Sequence, residues 1–257
     1  MPRRLQYYLP FLLALSSCLW FGGKKEELQG FSPTEAALKL QEAPRMEPGG
    51  VEGHFRQGNA YYMRDKLEEA LAEYEKVVKL DPRHQEAHYN LGIVYDQVGR
   101  QEEAIKEWKE TLEINPTHGE ALLALGLAYK EKGELAEASR VLKEAIRLYP
   151  QDNLLYYHLG ETLFSEGKYI ESLENFSKVL LLNSTMVEAR LGISVSLAEM
   201  GRLDEALAEA KRALSLHPEL PEAHYTYGLM LQKKGFQEEA QREFQKATEL
   251  MTKEQGG

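Results

Sequence analysis

The sequence predicts an all-α fold, a solenoid of six stacked helix-turn-helix units. Three observations predict it. A 34-residue pattern recurs six times from Val51 to Glu254, with no insertion or deletion between copies. Within a copy, apolar residues return at helical spacing, as in Ala104, Ile105, Trp108 and Leu112. No segment sustains an alternation of period two, so no sheet is expected. A unit of this length cannot bury its apolar face alone. It must stack on its neighbours, and the stack offers a long concave surface.

The copies span residues 51–84, 85–118, 119–152, 153–186, 187–220 and 221–254. In the first helix of each, the eighth position must be small for two backbones to approach closely; it is Gly58, Gly92, Gly126, Gly160, Ser194 and Gly228. The turn that follows carries Gly99, Gly133, Gly167, Gly201 and Gly235, with Asp65 in the first copy. Glycine there admits the left-handed conformation that closes a helix. In the second helix the twentieth position is again small: Ala70, Ala104, Ala138, Ser172, Ala206 and Ala240. The twenty-fourth is a large apolar plug in Tyr74, Trp108, Leu142, Phe176 and Phe244, and a smaller Ala210 in copy five. Position 32 ends the second helix with Pro82, Pro116, Pro150 and Pro218, and holds Ser184 and Thr252 in copies four and six.

A small residue at 8, Ala at 20, an aromatic at 24 and Pro at 32 resemble the tetratricopeptide repeat. Copies two and three follow that pattern most closely; copies four and five depart from it at Ser172, Ser184, Ser194 and Ala210. The resemblance implies a right-handed superhelix whose inner face holds other proteins or peptides.

Ahead of the repeats, residues 1–17 have the layout of a secretory signal: Arg3 and Arg4, then a mostly apolar run from Leu5 to Leu15, then Ser16 and Ser17. The run is short of the ~20 residues of a membrane span. Cys18, the only cysteine, follows at once. Leu15-Ser16-Ser17-Cys18 resembles the lipobox of bacterial lipoproteins, which implies cleavage before Cys18 and lipidation of its thiol. An uncleaved anchor running to Phe21 is the alternative. Leu19, in place of an Asp, implies sorting to an outer membrane with the solenoid facing the periplasm. Residues 18–50 form a tether, in which Ser32-Pro33-Thr34-Glu35 predicts the start of one short helix, Thr34 to Glu42. Residues 255–257 are a tail.

The formal net charge of −10 argues against nucleic acid, which requires a dense basic patch. Glu-rich solvent faces of helices account for it. There is no phosphate loop, no GxSxG elbow and no paired zinc cysteines, so neither enzyme activity nor a cofactor is expected. His84 and His88 stand four apart, as two metal ligands on a helix would, but the repeat phase splits them. His84 ends copy one, and His88 occupies position four of copy two, shared with His54 and His224. These are read as packing histidines.

In the tetratricopeptide family, positions 2, 5, 9, 12 and 13 line the inner face. Position 2 is Glu in five copies, ordinary helix-start chemistry. Position 5 reads Phe55, Tyr89, Leu123, Tyr157, Leu191 and Tyr225; the absence of Lys and Arg excludes the carboxylate clamp of the chaperone-adaptor subgroup. Position 9 often holds Asn in the family, and Asn59 keeps it, whereas Ile93, Leu127, Val195 and Leu229 are apolar and Glu161 breaks the row. The two rows predict either tight inter-helix packing or a groove for an apolar or amphipathic segment. Signal, lipobox and repeat number together resemble the small lipoproteins that pilot type IV pilus secretins. A scaffold for cell-wall hydrolases or polysaccharide-export proteins, or a self-assembling structural protein, fits the same architecture.

Overall fold

The computed structural model describes residues 49–255. Contacts divide the chain into Met1–Pro48 and Gly49–Gly257, and the second unit is described here. Cys18, the signal-like run and the short helix expected from Thr34 lie outside the described residues.

The unit consists of six helix pairs. These are α1 Val51–Tyr62 with α2 Leu67–Leu80, α3 Gln85–Gln97 with α4 Gln101–Ile114, and α5 Gly119–Glu131 with α6 Leu135–Leu148. Then come α7 Asn153–Ser165 with α8 Tyr169–Leu182, α9 Val187–Glu199 with α10 Leu203–Leu216, and α11 Pro221–Lys233 with α12 Gln237–Gln255. Every first helix begins at position one of its copy. Each turn passes through the left-handed region at the expected residue, from Asp65 (φ 57°) to Gly235 (φ 91°). The second helices stop at position 30 in copies one to five. Copy six has Thr252 at position 32, and α12 runs on to Gln255, whereas copy four, with Ser184 there, still stops at Leu182.

Each helix packs on its partner and on the next pair, forming the right-handed superhelical solenoid. Successive first helices also touch, α5 with α7, α7 with α9 and α9 with α11, while no two second helices pack to that extent. The first helices therefore line the inner side of the curve.

The plug at position 24 sits directly on the small residue at position 8. A methyl group on Gly126 would meet Leu142 at 2.9 Å, and one on Gly160 would meet the Phe176 ring at 2.9 Å. Phe176 is gripped from the next copy as well, since a methyl on Gly192 would stand 2.6 Å from its ring. Tyr74, Leu142 and Phe176 are buried in consequence. Copy five inverts the arrangement: Ser194 replaces glycine, and the plug shrinks to Ala210. The Ser194 hydroxyl donates to the Ala206 carbonyl at 2.8 Å. Ser172 likewise donates to the Gly160 carbonyl at 2.8 Å and lies 3.1 Å from the Ser196 hydroxyl. The buried hydroxyls of Ser172 and Ser194 are thus each satisfied by a carbonyl, which keeps them from costing stability.

Adding one methyl at the plug contact should be costly. Gly92 faces the Trp108 indole with no spare room, whereas nothing lies within 4 Å of a methyl at Gly49. Gly92→Ala is expected to lower unfolding free energy by about 1–3 kcal/mol in urea titration, with Gly49→Ala close to the parent.

Candidate functional site

The inner face is built from positions 5 and 9 of the first helices, and position 5 is the more deeply buried of the two. Position 5 packs on the plug in three copies, and Phe55, Tyr89 and Tyr225 remain half-buried there. Phe55 lies 5.9 Å from the Tyr74 ring, Tyr157 5.8 Å from Phe176, and Tyr225 5.4 Å from Phe244. Phe55 and Tyr89 also pack on imidazoles, those of His84 at 4.7 Å and His118 at 4.8 Å. The expectation that position 5 is an open binding row fails for Leu123, Tyr157 and Leu191, which are only 6%, 7% and 9% exposed. They are core.

Position 9 forms the accessible row. Ile93, Leu127, Val195 and Leu229 are all half-buried, one face on the core and one toward solvent. Asn59 is spoken for: it accepts the Tyr74 hydroxyl at 2.7 Å and the Asn90 side-chain amide at 3.2 Å. Glu161 divides the apolar row into two patches, Ile93 with Leu127 and Val195 with Leu229. Its carboxylate, 4% exposed, accepts Lys130 from the preceding copy at 2.8 Å and lies 3.1 Å from His158 Nδ1. Burial opposes its charge, but His158 and Lys130 outweigh that and hold its pKa below the usual carboxylate range. The neighbouring Tyr157 phenol is pushed well up, first by burial and then by the Glu161 charge.

A second feature was legible as a spacing of 19 and passed unread in the sequence. The side chain at position 4 reaches position 23 of its own second helix. His54–Glu73, His88–Glu107 and His224–Glu243 are hydrogen-bond contacts at 2.6, 2.7 and 2.7 Å. Copy five has Arg190–Glu209 at 3.4 Å, and copy three substitutes two buried apolar residues, Leu122 and Val141. Position 4 also reaches back across the copy boundary to the carbonyl at position 32. His88 Nε2 lies 3.2 Å from Pro82 O, Tyr156 donates to Pro150 O at 3.3 Å, Arg190 to Ser184 O at 3.3 Å, and His224 Nε2 lies 2.9 Å from Pro218 O. Position 4 is thus a clamp between consecutive copies. His84 and His118, at position 34, cap the next first helix by accepting from Ala87 N and Ala121 N, each at 3.2 Å. Among the described residues no three of His, Cys, Asp and Glu lie close enough together to hold a metal ion, and no helix is long and apolar enough to cross a membrane.

Tetratricopeptide-repeat models match residues 58–99 and 126–165, residues 85–118, and residues 163–230. The chain belongs to the tetratricopeptide-repeat family, the scaffold-type fold of protein-interaction modules. Among solved structures it is similar to the MamA protein, at 27% identity and a TM-score of 0.63 over 66% of this chain and 92% of that one. It shares the fold of PilF from Pseudomonas aeruginosa, at 20% identity and a TM-score of 0.61 over 75% of this chain and 88% of that one. It also shares the fold of YrrB, described as a repeat protein with an unusual peptide-binding site, at 24% identity and a TM-score of 0.56 over 69% of this chain and 91% of that one. Comparison with the curated proteins gave no match.

The clamp has a pH signature. Both nitrogens of His88 face acceptors, and the Glu107 hydrogen bond, against the effect of burial, raises its pKa above the ordinary value. The Pro82 carbonyl and the charges of Glu107 and Glu110 act in the same direction. A raised folded pKa contributes stability that is complete below the unfolded value of about 6.5 and is lost as pH rises through the folded value. Replacing the pair with copy three's solution, His88→Leu with Glu107→Val, should therefore flatten the fall in Tm between about pH 6 and about pH 8 relative to the parent.

Proposed function

We propose that this protein is a non-catalytic adaptor that holds an amphipathic segment of a partner protein along its inner face. The observation that carries the reading is the position 9 row, two half-buried apolar patches separated by the Glu161–Lys130 pair. Half-buried side chains are already fixed in place, so a ligand covering them loses little side-chain entropy and removes apolar area from water. The buried charge between them favours a segment that is apolar at both ends and polar in the middle. A uniformly apolar helix would press against the ion pair without supplying it a hydrogen bond.

Anchoring belongs to the same proposal and rests on the sequence. The signal-like run followed by Cys18 supports export, lipidation and residence in the outer membrane of a bacterial envelope. Two or more acyl chains give the stable attachment that one cannot. An anchored solenoid with an open inner face suits the assembly of an envelope complex of the pilus-secretin kind.

Two measurements test this reading. Ile93→Glu with Leu127→Glu should weaken capture of the envelope partner at least ten-fold, about 1.4 kcal/mol, with helical circular dichroism unchanged. A photo-crosslinker at Leu127 identifies that partner first, and unaltered affinity in the double variant would make the row a packing feature only. Mass spectrometry of the mature N-terminus should show acylated Cys18 in the parent and none in Cys18→Ser. An unmodified Cys18 in the native host would remove the anchor.

A further inference from the structure

The last turns of α3 and α5 carry a charge that their place in the fold disfavours. Asp96 is the residue before the end of α3, and Glu131 ends α5. A helix C-terminus is the negative end of the dipole and favours a cation, so a carboxylate there is repelled. The two carboxylates also repel each other across the joint between copies two and three: burial raises the pKa of Glu131, and the Asp96 charge raises it further. Burial raises the pKa of Asp96 as well. Neither residue forms an ion pair among the described residues. Glu131 accepts one hydrogen bond, from Gln101 at 3.3 Å, and Lys130 beside it is bound to Glu161 at 2.8 Å. The equivalent joints are matched elsewhere. Gln97 donates to Tyr62 at 3.0 Å between copies one and two, and Lys233 pairs with Glu199 at 2.8 Å between copies five and six. Stacking thus gains nothing from Asp96 and Glu131, and both side chains are open to solvent.

These carboxylates border an apolar patch of the inner face. Asp96 stands three residues beyond Ile93 on α3, and Glu131 four beyond Leu127 on α5. Seven residues before Ile93 and Leu127, on the other border, stand Glu86 and Glu120. Spacings of three, four and seven keep all of them on one face of their helices. The Glu86 and Glu120 side chains are 54% and 62% exposed, and lie 3.4 Å from His84 and His118. At a rise of about 1.5 Å per residue, the two acidic borders are roughly 15 Å apart, and an α-helix with its side chains is about 10–12 Å across. Ile93 and Leu127 thus form an apolar floor, one helix wide, between two acidic edges.

We propose that the segment held on the Ile93–Leu127 patch is a cationic amphipathic helix of a partner protein. Its apolar stripe covers Ile93 and Leu127. Lys or Arg side chains on the two edges of that stripe meet Asp96 with Glu131 on one side and Glu86 with Glu120 on the other. The inference rests on the inner-face reading and adds to it the sign of the ligand's charge. A bound ammonium or guanidinium supplies the cation that the C-termini of α3 and α5 lack. It is drawn more strongly to carboxylates that are partly desolvated, because the local dielectric is lower than that of water. An acidic segment of the same shape would bring like charges against four carboxylates.

The test is fluorescence anisotropy of the full chain with labelled acetyl-(Lys-Leu-Leu-Lys)₃-amide, its Gln-for-Lys and Glu-for-Lys counterparts, and spermine as an unlabelled competitor. The Lys peptide should bind at least about ten-fold more tightly than the Gln peptide, with the difference shrinking as salt rises. Asp96→Asn with Glu131→Gln should weaken the Lys peptide by about ten-fold without lowering Tm, since the neutral amides remove the repulsion at the helix ends. Asp96→Lys with Glu131→Lys should move the preference toward the Glu peptide, an outcome that general attraction to a chain of net charge −10 does not produce. Unchanged affinity in the Asn–Gln variant would overturn the proposal. Equal affinity of the Lys and Gln peptides, both weakened by Leu127→Ser, would overturn the charge assignment and leave the inner-face reading standing. Affinities unmoved by Leu127→Ser would overturn both. Displacement of the Lys peptide by spermine at equal concentration would overturn the helical ligand, because a polyamine presents no apolar stripe.

Discussion

The contact that the rest of this structure depends on is the plug at position 24 seated on the small residue at position 8. It sets how closely the two helices of a copy approach, and so the thickness of every layer in the stack. Where the plug is a ring, the partner is glycine, because a single Cβ would collide with it. Where the partner is Ser194, the plug is Ala210. The two positions are complementary in volume, and neither choice can be altered alone without strain or a cavity. Position 5 rests on the same plug in several copies, and three of its six residues are core, whereas the four apolar residues of position 9 are all half-buried.

That dependence explains what the sequence made legible. Small residues at 8 and 20, the turn glycines and Asp65 are backbone requirements, each decided within one copy, and a period of 34 displays them directly. The openness of position 5 is decided between elements. Leu123 and Leu229 are both leucines in a first helix, yet one is core and the other half-exposed, because what covers each belongs to neighbouring elements. Glu161 appeared in the sequence as an interruption of an apolar row. Its partner Lys130 lies 31 residues earlier, and that register follows only from how α5 and α7 cross. The His–Glu clamp was visible as a spacing of 19, and the joint change to Leu122 and Val141 in copy three was its clearest signal.

Two recurring polar contacts, besides single ones such as Lys130–Glu161, then join consecutive copies. The position 4 clamp joins a side chain to the carbonyl that ends the preceding copy, so it ties the unit's end to the next unit's beginning. The position 34 cap does the same from the other direction, with His84 and His118 ending one copy and capping the next first helix. Asp152 continues this with a bond from Leu154 N at 2.9 Å. Met186 and Leu220 stand at the same position and give no such cap. The joints before copies five and six therefore rest more on position 4, where Arg190 and His224 each reach both a carboxylate and a carbonyl.

A stack in which each copy contacts only its neighbours allows one copy to change without disturbing distant ones. The chain uses that freedom unevenly. Copies two and three keep the regular plug and present the apolar patch of Ile93 and Leu127. Copy four places a buried carboxylate in the row. Copy five gives up the large plug and acquires a guanidinium with an unsatisfied N–H on its outer side. At this joint His88 and His224 have both ring nitrogens matched, whereas Arg190 leaves its Nε without a partner. Unpartnered buried polar atoms among the described residues are spread along the stack, at Trp108 Nε1, Glu161 Oε1, Arg190 Nε and Thr226 Oγ1, whereas the serines of copies four and five are satisfied within it.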